Sequence, residues 1–259
     1  MNGRIRTLRP ALVGLIVPVS ILVAWQLLGN AGVISQLLFP NPSAIWQDFW
    51  RLLQGGELAS HLRISVLRAL GGFALGGGLG IAAGLLVGLF RGIERTLDPT
   101  MQMIRMIPHL AVTALFVLWF GIGETSKILL VAKGAFFPLY INTFLGIRNA
   151  DNKLFEVSRI LGFGFVKRTF LLALPSALPN LFLGIRLSLG VAWLSLAVAE
   201  LLGSTEGIGY LMMDARMLGR TSTVFVGIAL FAVIGKAADS LVLAIERRAL
   251  RWNATYKGQ

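Results

Sequence analysis

Apolar residues gather in long runs along this chain, separated by short stretches rich in charge, proline and glycine. A helix crossing the hydrocarbon of a bilayer needs about 20 mostly apolar residues. Six segments meet that length, at about 11–29, 67–90, 99–120, 125–147, 177–200 and 223–245. The pattern predicts an all-α polytopic membrane protein, a single transmembrane domain over residues 1–259. Between the first two runs, Asn41, Pro42 and Ser43 read as a helix start. After it, Ile45, Phe49 and Leu52, and Trp46, Trp50 and Leu53, recur at helical spacing. These predict a short amphipathic helix over about 43–54 that lies at the membrane interface, anchored by Trp46 and Trp50.

Composition supports this reading. The chain is 56% hydrophobic and 14% charged, with mean hydropathy +0.75, where a soluble domain carries about 25% charged residues. A net charge of +12 in a soluble protein would suggest nucleic acid. Membrane proteins instead gather Lys and Arg in cytoplasmic loops, so no nucleic-acid partner is expected. With the N-terminus inside, six spans return the C-terminus inside as well. Arg4, Arg6, Arg9, Arg91, Arg95, Arg148, Lys153, Arg159, Lys167, Arg168, Arg247, Arg248, Arg251 and Lys257 then face the cytoplasm, 14 of the 24 cations. Outside loops hold chiefly Arg51, Arg63, Arg216 and Arg220. The first run is long for a signal-peptide core and no small-x-small cleavage site follows closely, so it reads as an uncleaved span. The absence of cysteine excludes disulfide and thiolate chemistry.

Within the second run Gly72, Gly76, Gly80, Gly84 and Gly88 fall every fourth residue. They line one helix face and predict the close approach of a neighbouring helix. The long inside loop, about 148–175, contains "EVSRILGFGFVKRTFLLALPSALPN". Gly162 follows Glu156 by six residues, Leu172 comes ten later, and Leu174 and Pro175 close the segment. This resembles the Glu-Ala-Ala-x3-Gly-x9-Ile-x-Leu-Pro loop of ABC-importer permeases, with Val157, Ser158 and Leu172 in place of Ala, Ala and Ile. "LWFGIGETSKILL", "FFPLYINTFLGIRN", "LGVAWLSLAVAELLGSTEGIGYLM" and "ERRALRWN" are similar to the nitrate/sulfonate/taurine branch of that family. "MQMIRMIPHLA" and "PLYINTFLGIRN" are most similar to its aliphatic-sulfonate permeases.

The resemblance implies a type I importer permease of MetI-like architecture with six spans, in a bacterial cytoplasmic (inner) membrane. It implies a permease homodimer, two copies of a separate ABC ATPase and an extracytoplasmic substrate-binding protein. The segment at about 150–175 would be the coupling element, with Glu156, Ser158, Arg159, Gly162, Leu174 and Pro175 as its coupling residues. Its residue types suit that task. Arg159, Lys167 and Arg168 can meet acids on a soluble partner, while Ile160, Leu161 and Phe165 can fill an apolar groove. Gly162 and Gly164 permit a tight turn, and Pro175 can open the next helix. ATP and Mg would be bound by the partner: this chain has no GxxxxGK[ST], since "GIGETSK" lacks its end.

Charges inside a membrane are costly and point to function. Arg105, Lys133, Arg186 and Lys236 fall within predicted spans, with Asp239 the clear acid among them. Lys236 and Asp239, three residues apart, read as a structural pair. Arg105 and His109, bent together by Pro108, are candidates to line an anion pathway, with Arg186 or Lys133. The alternative for each is a bond to a backbone carbonyl or a headgroup. Glu200, at the outer end of the fifth span, either hydrogen-bonds at an external gate or is solvated there, the second reading being preferred, with Gly203, Glu206, Gly207 and Gly209 marking an external or re-entrant loop.

No catalytic set is expected. The two histidines, His61 and His109, are far apart, and HExxH and GxSxG are absent. No metal-ligand cluster is expected either. A secondary transporter would need coupling-ion sites and internal repeats. Within the importer branch, taurine, nitrate and thiamine-precursor pyrimidines stand as alternatives to aliphatic sulfonates.

Overall fold

The computed structural model describes residues 3–150 and 152–251, and all regular structure among them is helical. Lys257, counted above among the inside cations, lies outside these residues. In chain order the elements are α1 (Gly3–Asn30), α2 (Pro42–Gln54), α3 (Glu57–Leu89), α4 (Arg91–Arg105), α5 (His109–Phe120) and α6 (Glu124–Arg148). They continue with α7 (Asn152–Ile160), α8 (Phe165–Arg168), a π-helical turn (Thr169–Ala173), α9 (Leu174–Gly203), α10 (Ile208–Met217) and α11 (Thr221–Ala249). Four helical stretches are long and apolar enough to cross a membrane: α3, α6, α9 with the turns before it, and α11. The pair α4 and α5 makes a fifth if counted as one broken span. The helix α1 adds 28 residues, apolar over most of its length.

The core is a seam of α3, α6 and α9. The glycine stripe makes it possible. Gly72, Gly76, Gly80, Gly84 and Gly88 are all buried in α3. A Cβ at Gly76 would collide with the Ala132 carbonyl, one at Gly80 would stand 2.5 Å from Phe136 O, and one at Gly84 would stand 2.6 Å from Tyr140 O. Ala132, Phe136 and Tyr140 themselves recur every four residues on α6, so the two helices meet ridge against stripe. On its other side α6 meets α9, where Gly134 admits Ser195, and Val131, Ala135, Ala192 and Leu196 form a buried cluster.

Three expectations change. The third predicted span, 99–120, is two helices bent by 94° around residues 106–108. Pro108 has no N–H to give and disfavours helical geometry in the residue before it, so the helix ends and restarts. The second span begins ten residues earlier than expected, at Glu57, directly after Gly56 in the left-handed region with φ 76°. The fifth is preceded without a break by the π turn, where Leu174 N–H reaches back to Thr169 O. That wider turn carries the chain into Pro175, which lacks a donor of its own.

The helix expected at about 43–54 forms as α2. Leu52 is buried with Leu58, Leu211 and Val226, while Trp46 and Trp50 remain exposed and in edge contact. Asp48 fixes α2 to α11 by accepting from Ser222 Oγ (2.8 Å) and Thr223 Oγ1 (2.6 Å).

Candidate functional site

One end of the α3–α6–α9 seam is closed by charge. Arg68, on α3, is 3% exposed. Its Nε and Nη2 donate to the two oxygens of Glu124 at 2.6 Å each, the fork-to-fork geometry that suits guanidinium and carboxylate. Its Nη1 donates to Glu200 Oε1 (2.9 Å) and to Glu206 O (2.6 Å). Glu200 also accepts from Ser65 Oγ (2.8 and 2.9 Å) and from Gly209 N–H (2.9 Å) at the start of α10. Ser65 Oγ accepts from Ile208 N–H (2.9 Å), and His61 Nδ1 from Gly207 N–H (3.1 Å). A carboxylate is favoured at a helix N-terminus, and here it holds the loop 204–207 against the bundle. Gly207 is required: its φ is 115°, and a Cβ there would collide with the Glu200 carboxylate. Lys127, 3.2 Å from Glu124, completes two cations against two acids. Glu200 is thus buried and fully bonded, not solvated as its place at the end of a span suggested. Arg68, Glu124 and His61 were not singled out by the sequence. A lone arginine inside an apolar run was the signal that could have found them.

The break between α4 and α5 opens a cleft of about 660 Å³ at mid-length of α6 and α9. Arg105, His109 and Lys133 line it together. The helix is broken between Arg105 and His109, and the break brings both to one cavity. Lys133 Nζ donates to Ile107 O (3.2 Å), a carbonyl freed by the break. His109 Nε2 is buried without a hydrogen-bond partner among the described residues. Lining residues also include Phe137, Ile141, Leu187 and Val191, and no acid among the described residues.

Arg186 is not in this cleft. It lines a separate cavity of about 340 Å³ with Phe73 and Trp193, and its Nε donates to Asp239 Oδ1 (2.8 Å). Lys236 does approach Asp239 Oδ2, at 3.4 Å, as the second cation on that acid. Arg186 therefore has the intramembrane partner that spacing alone did not supply. Asp98, missed because α4 begins earlier than the predicted span, accepts from Tyr140 Oη (2.7 Å), and Glu94 pairs with Arg148.

At the opposite end of the seam from Arg68, α7 and α8 form a helical hairpin. Gly162 turns it with φ 70°. Gly164 has φ −67°, which other residues adopt equally well, so only one of the two glycines is conformationally required. Glu156 and Arg159 are exposed, Ser158 is buried with its hydroxyl on Phe155 O (2.7 Å), and Leu174 and Pro175 are half-buried at the hairpin's exit. Phe155 packs against Ile147, Ala173 and Ala177, which ties the hairpin to the seam. Ile160, Leu161 and Val166 stand 85%, 64% and 66% exposed. Such an apolar tip beside Lys167 and Arg159 is unusual for a surface facing water alone.

Residues 76–251 match the family described as the inner membrane component of binding-protein-dependent transport systems. The chain belongs to this family. As a permease subunit it is a transport component and not an enzyme, and the family works with a substrate-binding protein and an ABC ATPase. The permease is 54% identical over 95% of its length to SsuC of Bacillus subtilis (strain 168), a permease named for aliphatic sulfonate transport, covering 89% of that protein. It is 47% identical to SsuC of Escherichia coli (strain K12), over 92% of its length and 91% of the relative's. The taurine transport permease TauC of the same organism is 32% identical over 90% of the permease, covering 86% of TauC. In fold the permease is similar to a chain of the inward-facing MetNI methionine ABC transporter, with a TM-score of 0.62 at 20% identity over 72% of the permease and 94% of that chain.

Proposed function

We propose that this permease forms the membrane pathway of an ATP-driven importer for aliphatic sulfonates. The observation that carries the pathway is the cleft at the α4–α5 break, where Arg105, His109 and Lys133 converge without an acid. A sulfonate is a permanent anion with three oxygens, and several N–H donors can engage it at once. The identity to permeases named for aliphatic sulfonate transport supports that cargo over taurine. Two copies of the chain enclose the pathway across six spans each, α1 and the broken α4–α5 pair included. Both termini and the α7–α8 hairpin face the cytoplasm, in keeping with the lysines and arginines gathered there. Glu156, Arg159 and the apolar tip seat in the ATPase, Ser158 and Gly162 fix the hairpin's shape, and Leu174 and Pro175 pass its movement into α9. Closure of the ATPase then tilts the spans as rigid bodies and exposes the cleft to alternate sides.

Uptake of radiolabelled ethanesulfonate, in cells supplied with the cognate ATPase and binding protein but no other sulfonate importer, tests this reading. Uptake is expected to require this chain and ATP, and to be lost in Arg105→Ala while the assembled complex still hydrolyses ATP. Normal uptake by that variant would sink the pathway assignment. Uptake that persists without any ATPase would show a secondary transporter instead.

A further inference from the structure

The cleft has more wall than a sulfonate headgroup uses. Phe137 and Ile141 of α6 and Leu187 and Val191 of α9 line it beside the basic residues. Leu187 and Val191 are 50% and 40% exposed, apolar surface that a guest could cover. At about 660 Å³ the cleft falls within the range of small-molecule sites, roughly 300–1,000 Å³.

Its polar part is unfilled. Arg105 has no hydrogen bond or ion pair among the described residues, His109 Nε2 is buried and unbonded, and Lys133 uses one of its three donors. The helix α5 also starts here, after Pro108: the Ala111 and Val112 amides reach Pro108 O, the His109 and Leu110 amides have no acceptor within the helix, and its positive end lies at the break. Half-helix starts of this kind inside a membrane suit anionic groups.

We propose that this cleft is a binding site for the whole alkanesulfonate, with the headgroup at Arg105, His109 and the start of α5, and the alkyl chain along Phe137, Ile141, Leu187 and Val191. The permease thereby selects its cargo by tail, independently of the binding protein. This inference rests on the sulfonate-importer reading. An inorganic anion would meet the charges and leave the wall uncovered. An ω-amino sulfonate would bring an ammonium group to a site whose lining has no acid, and like charge there is unfavourable. Burying one methylene favours binding by about fourfold.

The test is equilibrium binding to the permease–ATPase complex in phosphatidylcholine nanodiscs, without binding protein, using methane-, butane- and hexanesulfonate, taurine and nitrate. Affinity should rise about two- to fourfold per methylene, with taurine and nitrate weakest. Phe137→Ala should flatten the series, lowering hexanesulfonate affinity more than methanesulfonate affinity. Phe137→Leu should restore the slope, which separates loss of the wall from misfolding. A series without slope in the wild-type complex overturns the proposal, and so does taurine binding as tightly as butanesulfonate. An anionic phospholipid offers similar chemistry, so the series is repeated with phosphatidylglycerol in the nanodisc. Unchanged hexanesulfonate affinity supports a substrate site, and abolished binding makes the cleft a lipid site. Cellular ethanesulfonate uptake by the wild-type importer decides the underlying reading separately: if uptake stands and the series is flat, only this inference falls.

Discussion

Two clusters of charge share α6 and α9, and they are built in opposite ways. At the end of the seam, Arg68 and Lys127 face Glu124 and Glu200, and Ser65 and the start of α10 take up the remaining oxygens. At mid-length, Arg105, His109 and Lys133 meet with no acid between them and with donors to spare. Both sets are costly in a membrane. The first offsets its cost internally, so it locks helices. The second does not, and that imbalance is what a site for an anion requires. On the proposed reading, charge alone does not mark the pathway; charge left uncompensated does.

The largest expected effect comes from breaking the compensated cluster. Arg68→Met would leave Glu200, with a side chain 0% exposed, without its cation. Removing one partner of a buried pair costs about 3–5 kcal/mol, so the purified variant should show a sharply lower unfolding temperature or fail to assemble. Arg105→Ala should do the reverse. If the cleft is the proposed pathway, the substitution removes charge-assisted hydrogen bonds to the cargo, each worth about 1.5–3 kcal/mol, and uptake should fall roughly ten- to a hundred-fold. Its unfolding temperature should barely move, within about 0.5 kcal/mol of stability. If Arg105→Ala destabilises as Arg68→Met does, the two clusters are not different in kind. Between these lies Gly76→Ala. It drives a Cβ into the Ala132 backbone and should cost about 1–3 kcal/mol by overpacking. Differential scanning fluorimetry of the three variants side by side would separate lock, seam and pathway.

How much of this was legible in the sequence follows from how local each feature is. The glycine stripe could be read because a four-residue period is a property of one helix, and each of its five glycines meets α6 or its side chains. The α2 helix could be read for the same reason. The break at Pro108 was visible as a bend, but its size was not, since the 94° angle depends on where α4 and α5 find neighbours. The Arg68 cluster was hidden. Arg68 and Glu200 lie 132 residues apart, and Glu200 at the end of a long apolar run looks like any solvated terminus. Of the four pathway candidates, Arg105, His109 and Lys133 come together, whereas Arg186 is drawn to Asp239 on a helix whose rotation no single-chain periodicity fixes.

The smallest expected effect belongs to Arg186, and it is the most discriminating test of the contrast between compensated and uncompensated charge. Its pair with Asp239 is half-open, with side chains 34% and 32% exposed. Arg186→Gln removes the 2.8 Å bond and the longer 3.9 Å approach of Arg186 Nη1 to Glu246 Oε2, but leaves Lys236 at 3.4 Å from Asp239. Asp239 keeps a counter-charge and the Glu246 contact is long, so stability should fall by about 1 kcal/mol, and uptake should stay near wild type. Lys236→Gln alone should be equally mild. Together the two substitutions strip Asp239 of both cations, and their combined cost should exceed the sum of the singles. Unfolding measurements on the double-mutant cycle read that excess directly. Additive costs would mean that Asp239 is solvated well enough to need neither cation. A collapse of uptake in Arg186→Gln with stability intact would mean that a neutralised charge can serve the pathway, and the rule separating the two clusters would fail.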